Sequence, residues 1–365
     1  MDFGFDYKEI VSKFNVQGEN ITYFDKYGDG HIHSTFLLEL DNKYKYILQK
    51  INHFVFPNVK GLMQNVLYVT EFIKNKLIEE GKDINRETLN VIFTKDGESY
   101  YYDETKDQYF RIYLFVSDSV TFQKADTKEI FALSGEAFAK FSLLLDSFDV
   151  SKLIEVIPNF HNTKVRFAHF LETLKADKYD LAKTCQEEIN FVLEREKDCS
   201  IVVDAISRGE LTLKVTHNDP KLNNILFDAN TEKPVCVIDL DTIMPGTILY
   251  DFGDAIRFGC NPLGESVLDT STVKFHIDYF KAFAEAYVKA LGTTITENEK
   301  KYLAFAGKLM TLECGIRFLD DYLDGNKYFH INFDSENLIR ARSQFKLVKD
   351  MEDNMDLLNE IVSSI

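Results

Sequence analysis

Along this chain the apolar spacing changes character once, and that change limits the folds open to it. Up to about residue 118, aromatic and β-branched residues gather in short runs bounded by turn residues, as strands do. Residues 20–26 and 35–40 flank a glycine-containing turn, and KYKYILQK (43–50), 88–94, 99–102 and 110–116 read as further strands. One helix interrupts them: Leu62, Val66, Val69, Phe72, Ile73 and Leu77 stand at helical spacing within 62–79. From Ser134 the spacing is helical, over 134–148, 164–176, 181–195, 272–291, 297–323 and 336–361, with Ser134 the expected N-cap. Two short strands, 211–215 and 225–227, break this helical part and bracket the octapeptide 217–224. The spacing predicts an α+β chain: a small β-rich lobe (1–118), then a larger, mainly helical lobe (119–365), joined near 117–121.

The octapeptide is HNDPKLNN. Asp219 follows His217 by two residues, Lys221 follows Asp219 by two, and Asn224 lies five beyond Asp219. That is the spacing of the protein-kinase catalytic loop, in which the aspartate takes the acceptor proton and the asparagine holds a metal ion. Downstream, PVCVID (234–239) is a short strand ending in Asp239, 239 − 219 = 20 residues later. Transfer of a phosphoryl group from a metal-bound nucleotide needs such a set: Asp219 as base, with Asn224 and Asp239 as hard oxygen ligands for Mg2+. Asp241 would reach the same side if the strand continued, and so would assist the metal; the alternative is a solvated carboxylate. His217 reads as a packed, structural histidine. Lys221 is either a cation for the γ-phosphate of the nucleotide or a surface lysine.

Nucleotide-binding candidates cluster in the first lobe. Gly28 and Gly30, in the turn YGDGH (27–31), would allow close approach of backbone to phosphate, although an ordinary hairpin accounts for them equally. In YILQK (46–50), either Gln49 or Lys50 would face the phosphates, with Glu71 of the next helix a partner for a lysine or simply exposed. Phe115 and Val116, ahead of the lobe junction, complete this set. His31 and His33 form an H-x-H pair with no third ligand at sensible spacing, so zinc is set aside. In YDFGDAIR (250–257), Asp251 at a helix start would accept backbone amides and brace the catalytic loop; Asp254 either contacts the acceptor or pairs with Arg257.

Bulk properties restrict the partners. Net charge is 42 − 59 = −17, which argues against nucleic acid and anionic membranes. No apolar run approaches the roughly 20 residues that span a bilayer, and MDFGFDYKEI lacks the basic and apolar regions of a leader. The five cysteines are odd in number, the closest pair 199 − 185 = 14 apart, as for reduced thiols in the cytoplasm.

With those residues in hand, the chain resembles the aminoglycoside phosphotransferase and choline kinase superfamily. The similar stretches are YGDGHIHSTF (27–36), YILQKINHFVFPNVKGLMQNV (46–66), IPNFHNTKVRF (157–167), HNDPKLNNILFD (217–228), VIDLDTIMPGTILYDFGDAIRFGCNP (237–262) and TLECGIRFLDDYLDG (311–325). IDLDTIMPG and YDFGDAIR together point to its N-acetylhexosamine 1-kinase branch. The resemblance implies a bilobal protein-kinase-like fold, ATP with Mg2+, and phosphorylation of the anomeric hydroxyl of GlcNAc or GalNAc. It also implies His31 and Arg317 as sugar contacts; Asp219 and Asp254 are the other acceptor-side candidates. Within the superfamily the alternative acceptors are an aminoglycoside, choline or homoserine. The chain departs from the branch pattern at His33, Lys50 and Pro220.

Overall fold

The computed structural model describes residues 3–28, 30 and 32–365. The chain divides into two compact units, neither continuous in sequence: Met1–Val120 with Ser151–Pro158 and Leu226–Met244, and Thr121–Val150 with Asn159–Ile225 and Pro245–Ile365.

In the first unit, α1 (Tyr7–Ser12) starts at Asp6, whose carboxylate accepts the Lys8 and Glu9 amides. An antiparallel sheet follows from β1 (Ile21–Lys26), β2 (Ser34–Leu40), β3 (Tyr44–Ile51), β4 (Val91–Ile92), β5 (Tyr101–Asp103) and β6 (Gln108–Leu114). Their order is β1-β2-β3-β6-β4, with β5 also pairing β6. Alternation sorts the faces. Phe36, Leu38 and Leu40 of β2, Tyr46 and Leu48 of β3, and Phe110 and Ile112 of β6 bury against Phe5, Ile10, Val11 and Phe14. The intervening residues of β3 and β6 carry Gln49 and Arg111, which pair across the strands. Helix α2 (Val59–Glu79) belongs to this unit. Its buried Asn65 donates to the Ile154 and Ile243 carbonyls (2.7 and 2.9 Å) and accepts from the Ile154 amide (2.9 Å), tying both later segments to the helix. A three-stranded sheet orders Pro234–Val237, Ile225–Asp228 and Ser119–Val120.

The second unit is helical: α3 (Lys128–Leu144), α4 (Thr163–Ala176), α5 (Gln186–Leu193), α6 (Ile201–Ser207), α7 (Ile248–Gly259), α8 (Ile277–Leu291), α9 (Glu297–Leu323), α10 (Glu336–Asp353) and α11 (Met355–Ser363). Helix α9 begins in a capping box between Thr296 and Glu299 and is buried along most of its length. Gly253 lets α7 approach it closely, because a Cβ there would strike the Ala306 carbonyl. Phe167, Phe170, Val192, Leu312, Ile316, Leu319, Phe345 and Val348 share one core cluster. An antiparallel-sheet lobe and a helical lobe make the α+β organisation expected from the spacing and the protein-kinase-like layout that the resemblance implies. Among the described residues, no helix is long and apolar enough to cross a membrane.

Several boundaries differ from expectation. Helix α3 starts earlier than Ser134: Thr127 caps it, its hydroxyl accepting the Ile130 amide, while Ser134 sits inside the helix and donates to the Phe131 carbonyl. The helices expected at 181–195 and 336–361 each break, at Cys185 and Asn354, whose backbones leave the helical region. The helix expected from residue 272 starts at Ile277, because Asp269 caps a separate short turn, Thr270–Thr272.

Candidate active site

The catalytic loop lies in the second unit, after the strand Lys214–Thr216. Two adjacent amides at its start are held by one carboxylate: Asp251 accepts from His217 N at 2.9 Å and Asn218 N at 2.7 Å. Burial pushes the Asp251 pKa up, although the two amides and nearby His217 favour its charged form. His217 is wholly buried, with Phe138 and Phe141 edge-on at 5.5 and 6.1 Å. Asn218 adopts a left-handed backbone (φ 64°), and its side-chain oxygen accepts from the Thr216 hydroxyl at 3.0 Å.

Asp219 then has partners on both sides. Lys221 Nζ stands 2.8 Å from one carboxylate oxygen. Asn224 Nδ2 donates to the Asp219 carbonyl at 2.8 Å and to its other carboxylate oxygen at 3.3 Å. The Asp219 side chain keeps 27% of its surface exposed, enough to meet an acceptor hydroxyl. Burial opposes the charge on Lys221, but the Asp219 carboxylate more than offsets it and raises the lysine pKa. Lys221 thus has Asp219 as its partner while a third of its side chain stays exposed. With the Asn224 amide nitrogen turned to Asp219, the amide oxygen is the atom suited to a hard cation.

Two other candidates lie in the same unit. Asp254 is buried and accepts from Arg257 Nε at 2.6 Å, and Arg257 also pairs with Glu265. Arg317 lies half-buried among three aromatic rings, 5.5 Å from Phe160, 5.8 Å from Tyr328 and 5.5 Å from Phe329.

In the first unit, Asp239 stands exposed just past the strand Pro234–Val237, in a left-handed conformation (φ 60°). Asp241, expected beside it as a helper ligand or a solvated carboxylate, is neither. It is buried, and Arg111 grips both its oxygens, through Nη1 and, at 2.6 Å, Nη2. His33 Nε2 approaches from another side at 2.7 Å, while His33 Nδ1 accepts the Asn52 amide at 2.9 Å, which leaves Nε2 as the donor to Asp241. Arg111 Nε donates to Gln49 Oε1 at 2.9 Å, and Gln49 Nε2 to the Thr35 hydroxyl at 3.0 Å. Register thus puts Gln49 on the Arg111 face, whereas Lys50 pairs opposite Phe110, on the face of Leu48. Glu71 is exposed and pairs with Lys74 at 3.0 Å.

Gly28 (φ 75°) and Gly30 lie in the β1–β2 connection, with open space where a Cβ would stand. Asp29 and His31 lie outside the described residues. The Phe115 ring sits 5.9 Å from Tyr27, and Val116 is buried, its carbonyl accepting from the Ser119 hydroxyl at 2.7 Å. Among the described residues, no three His, Cys, Asp or Glu side chains converge as a metal cluster. Magnesium needs no such cage, because it binds through one or two protein oxygens plus substrate phosphates.

Sequence reasoning passed over Arg111, His161 and Glu313. The one visible signal for Arg111 was a lone guanidinium inside an otherwise uncharged strand, QYFRIYL.

Comparison with known proteins shows the family and the fold. A model described as the phosphotransferase enzyme family matches residues 89–290, more than half of the chain. Solved structures share the fold at low identity. An aminoglycoside phosphotransferase from Alicyclobacillus acidocaldarius gives a TM-score of 0.61 at 13% identity, covering 99% of this chain and 97% of that one. A microcompartment-associated aminopropanol kinase gives 0.58 at 12%, covering 96% and 97%. An amicoumacin kinase solved with AMP-PNP, Ca2+ and Ami gives 0.55 at 10%, covering 93% and 96%.

Proposed function

The chain belongs to the phosphotransferase enzyme family, and from that premise we propose that it transfers the γ-phosphoryl group of ATP to the anomeric hydroxyl of an N-acetylhexosamine, GlcNAc or GalNAc. The arrangement around Asp219 carries the reading, with Lys221 on one carboxylate oxygen and Asn224 on the other, in a loop braced by Asp251. Asp219 accepts the proton of the acceptor hydroxyl as that oxygen attacks phosphorus, and Lys221 keeps the carboxylate oriented. Asn224 and Asp239 would hold Mg2+, which when bound neutralises the phosphates. Asp241 drops out of the metal set, since Arg111 and His33 already engage it.

On the nucleotide side, Gly28 and Gly30 would cover the phosphates, Gln49 rather than Lys50 would face them, and Phe115 and Val116 would flank the base. On the acceptor side, Arg317 and His31 would contact the sugar, with Asp254 contributing through whatever Arg257 leaves of its carboxylate. A half-buried guanidinium suits a neutral, oxygen-rich acceptor with an acetamide carbonyl better than it suits an ammonium. That observation ranks the sugar above choline or an aminoglycoside. We place the reaction in the cytoplasm.

The test is ADP release from ATP and Mg2+ across GlcNAc, GalNAc, glucose, galactose, choline, homoserine and kanamycin, with phosphorus NMR of each product. An anomeric phosphate on the N-acetyl sugars supports the proposal. Turnover confined to another alcohol would remove the sugar assignment, along with the roles of His31 and Arg317.

A further inference from the structure

We propose that His161 and Glu313 form a charged clamp on the catalytic loop, an imidazolium standing between the Glu313 carboxylate and the carbonyl of Asn218, so that His161 is a positioning residue for Asp219. The inference rests on the reading of Asp219 as the base.

His161 precedes α4 and is buried, as is Glu313 on α9. Its Nε2 lies 3.0 Å from the Asn218 carbonyl oxygen, which can only accept, so that nitrogen carries a proton. Its Nδ1 lies 2.8 Å from Glu313 Oε1, and the other Glu313 oxygen accepts from the Thr163 hydroxyl. Both ring nitrogens thus face acceptors, the pattern of the doubly protonated ring.

The surroundings favour that charge. Burial opposes it, but Glu313, then Asp254 and the Asn218 carbonyl, more than offset burial and raise the His161 pKa. Asp251 also faces the ring from α7. Cations act at one remove, Arg257 and Lys221 on Asp254 and Arg317 and Arg166 on Glu313. The Phe160 and Tyr250 rings enclose the imidazole at 4.5 and 5.3 Å.

The consequence for Asp219 follows from peptide planarity. The carbonyl of Asn218 and the amide of Asp219 belong to one rigid plane, so fixing that oxygen fixes the plane from which the Asp219 side chain departs. Residue 218 is held at both backbone groups, its N–H by Asp251 and its C=O by His161. Those two contacts hold Asn218 in its left-handed conformation.

Two measurements on the full chain decide the matter. Nitrogen NMR of histidine-labelled protein, from about pH 6 to about pH 8.5, brackets the ordinary histidine value of about 6.5. The His161 ring signals are assigned by their loss in His161→Gln. Protons on both ring nitrogens throughout support the clamp, and a ring that loses a proton with a midpoint near the ordinary value overturns it. The second measurement is turnover of Glu313→Gln with Mg2+ and ATP, using GlcNAc as acceptor and, separately, water alone. We expect a loss of about 10- to 100-fold with ATP affinity and cooperative melting retained, and unchanged turnover overturns the proposal. If Glu313→Gln does not fold, His161→Gln carries the same measurement. Asp219→Asn, run alongside, keeps the two ideas apart: full turnover there removes the base, while the ring protonation is still read from the NMR.

Discussion

Arg111 and Asp241, 130 residues apart in sequence, meet as a two-pronged buried ion pair beneath the sheet of the first unit. The pair anchors the chain two residues after Asp239, so it governs how the proposed metal ligand is presented. Gln49 and His33 each add a hydrogen bond, one on each partner.

Removing one member would leave an uncompensated charge in the interior, whereas removing both would not. We therefore expect Arg111→Met to destabilise the protein by about 3–5 kcal/mol, and Arg111→Met with Asp241→Leu to regain most of that loss. Urea unfolding followed by circular dichroism reads both. A double variant no more stable than the single one would mean that the pair is not an isolated electrostatic unit.

Asp219→Asn keeps the shape of the loop and removes the proton acceptor. Turnover should fall by about 10²- to 10⁴-fold, while ATP affinity, measured by calorimetry, stays close to that of the parent. Retention of turnover would show that another group takes the proton.

Much of the layout was legible locally. The span expected for α9, 297–323, is the span observed, because apolar periodicity and the Thr296–Glu299 cap act within a few residues of chain. The bracing of the 217–224 loop by Asp251 was visible for the same reason. Long-range partners were not. Nothing near Asp241 in sequence says that Arg111 and His33 will take its oxygens, and nothing near His161 points to Glu313, 152 residues away. Alternation alone does not say which of Gln49 and Lys50 will share a face with Arg111; the pairing of β3 with β6 places Arg111 opposite Gln49. Ser134 lies inside the helix and Thr127 caps it, which only the course of the backbone shows.

Acid should weaken the protein partly through Asp228. The Thr231 amide, the Arg86 guanidinium, the Thr231 hydroxyl and the Asn230 amide all bind its charged form and hold the carboxyl pKa down to about 2. The folded value lies below the unfolded one of about 3.9, so the contribution is complete above that value and is lost as pH falls towards about 2. In urea titrations, the stability gap between the parent and Asp228→Asn should be widest at neutral pH and close across that window. A gap independent of pH would refute this account.

Thiol chemistry offers an independent check on packing. Burial pushes Cys199, Cys236 and Cys314 up to about 12 and Cys185 to about 11, and raises Cys260 as well. All five should stay protonated and resist an aromatic disulfide reagent near pH 8 in the folded protein, then react together in urea. A thiol that reacts rapidly before unfolding would mark a poorly packed region.

The order of synthesis adds a consequence. The sheet around Arg111 leaves the ribosome long before residue 241 is translated, so for that interval a guanidinium destined for the interior has no counter-ion. The first unit cannot close as the chain begins to emerge. It must wait for a segment made after the catalytic loop, and a nascent chain halted near residue 120 should expose Arg111 to protease and bind chaperones that the finished protein ignores.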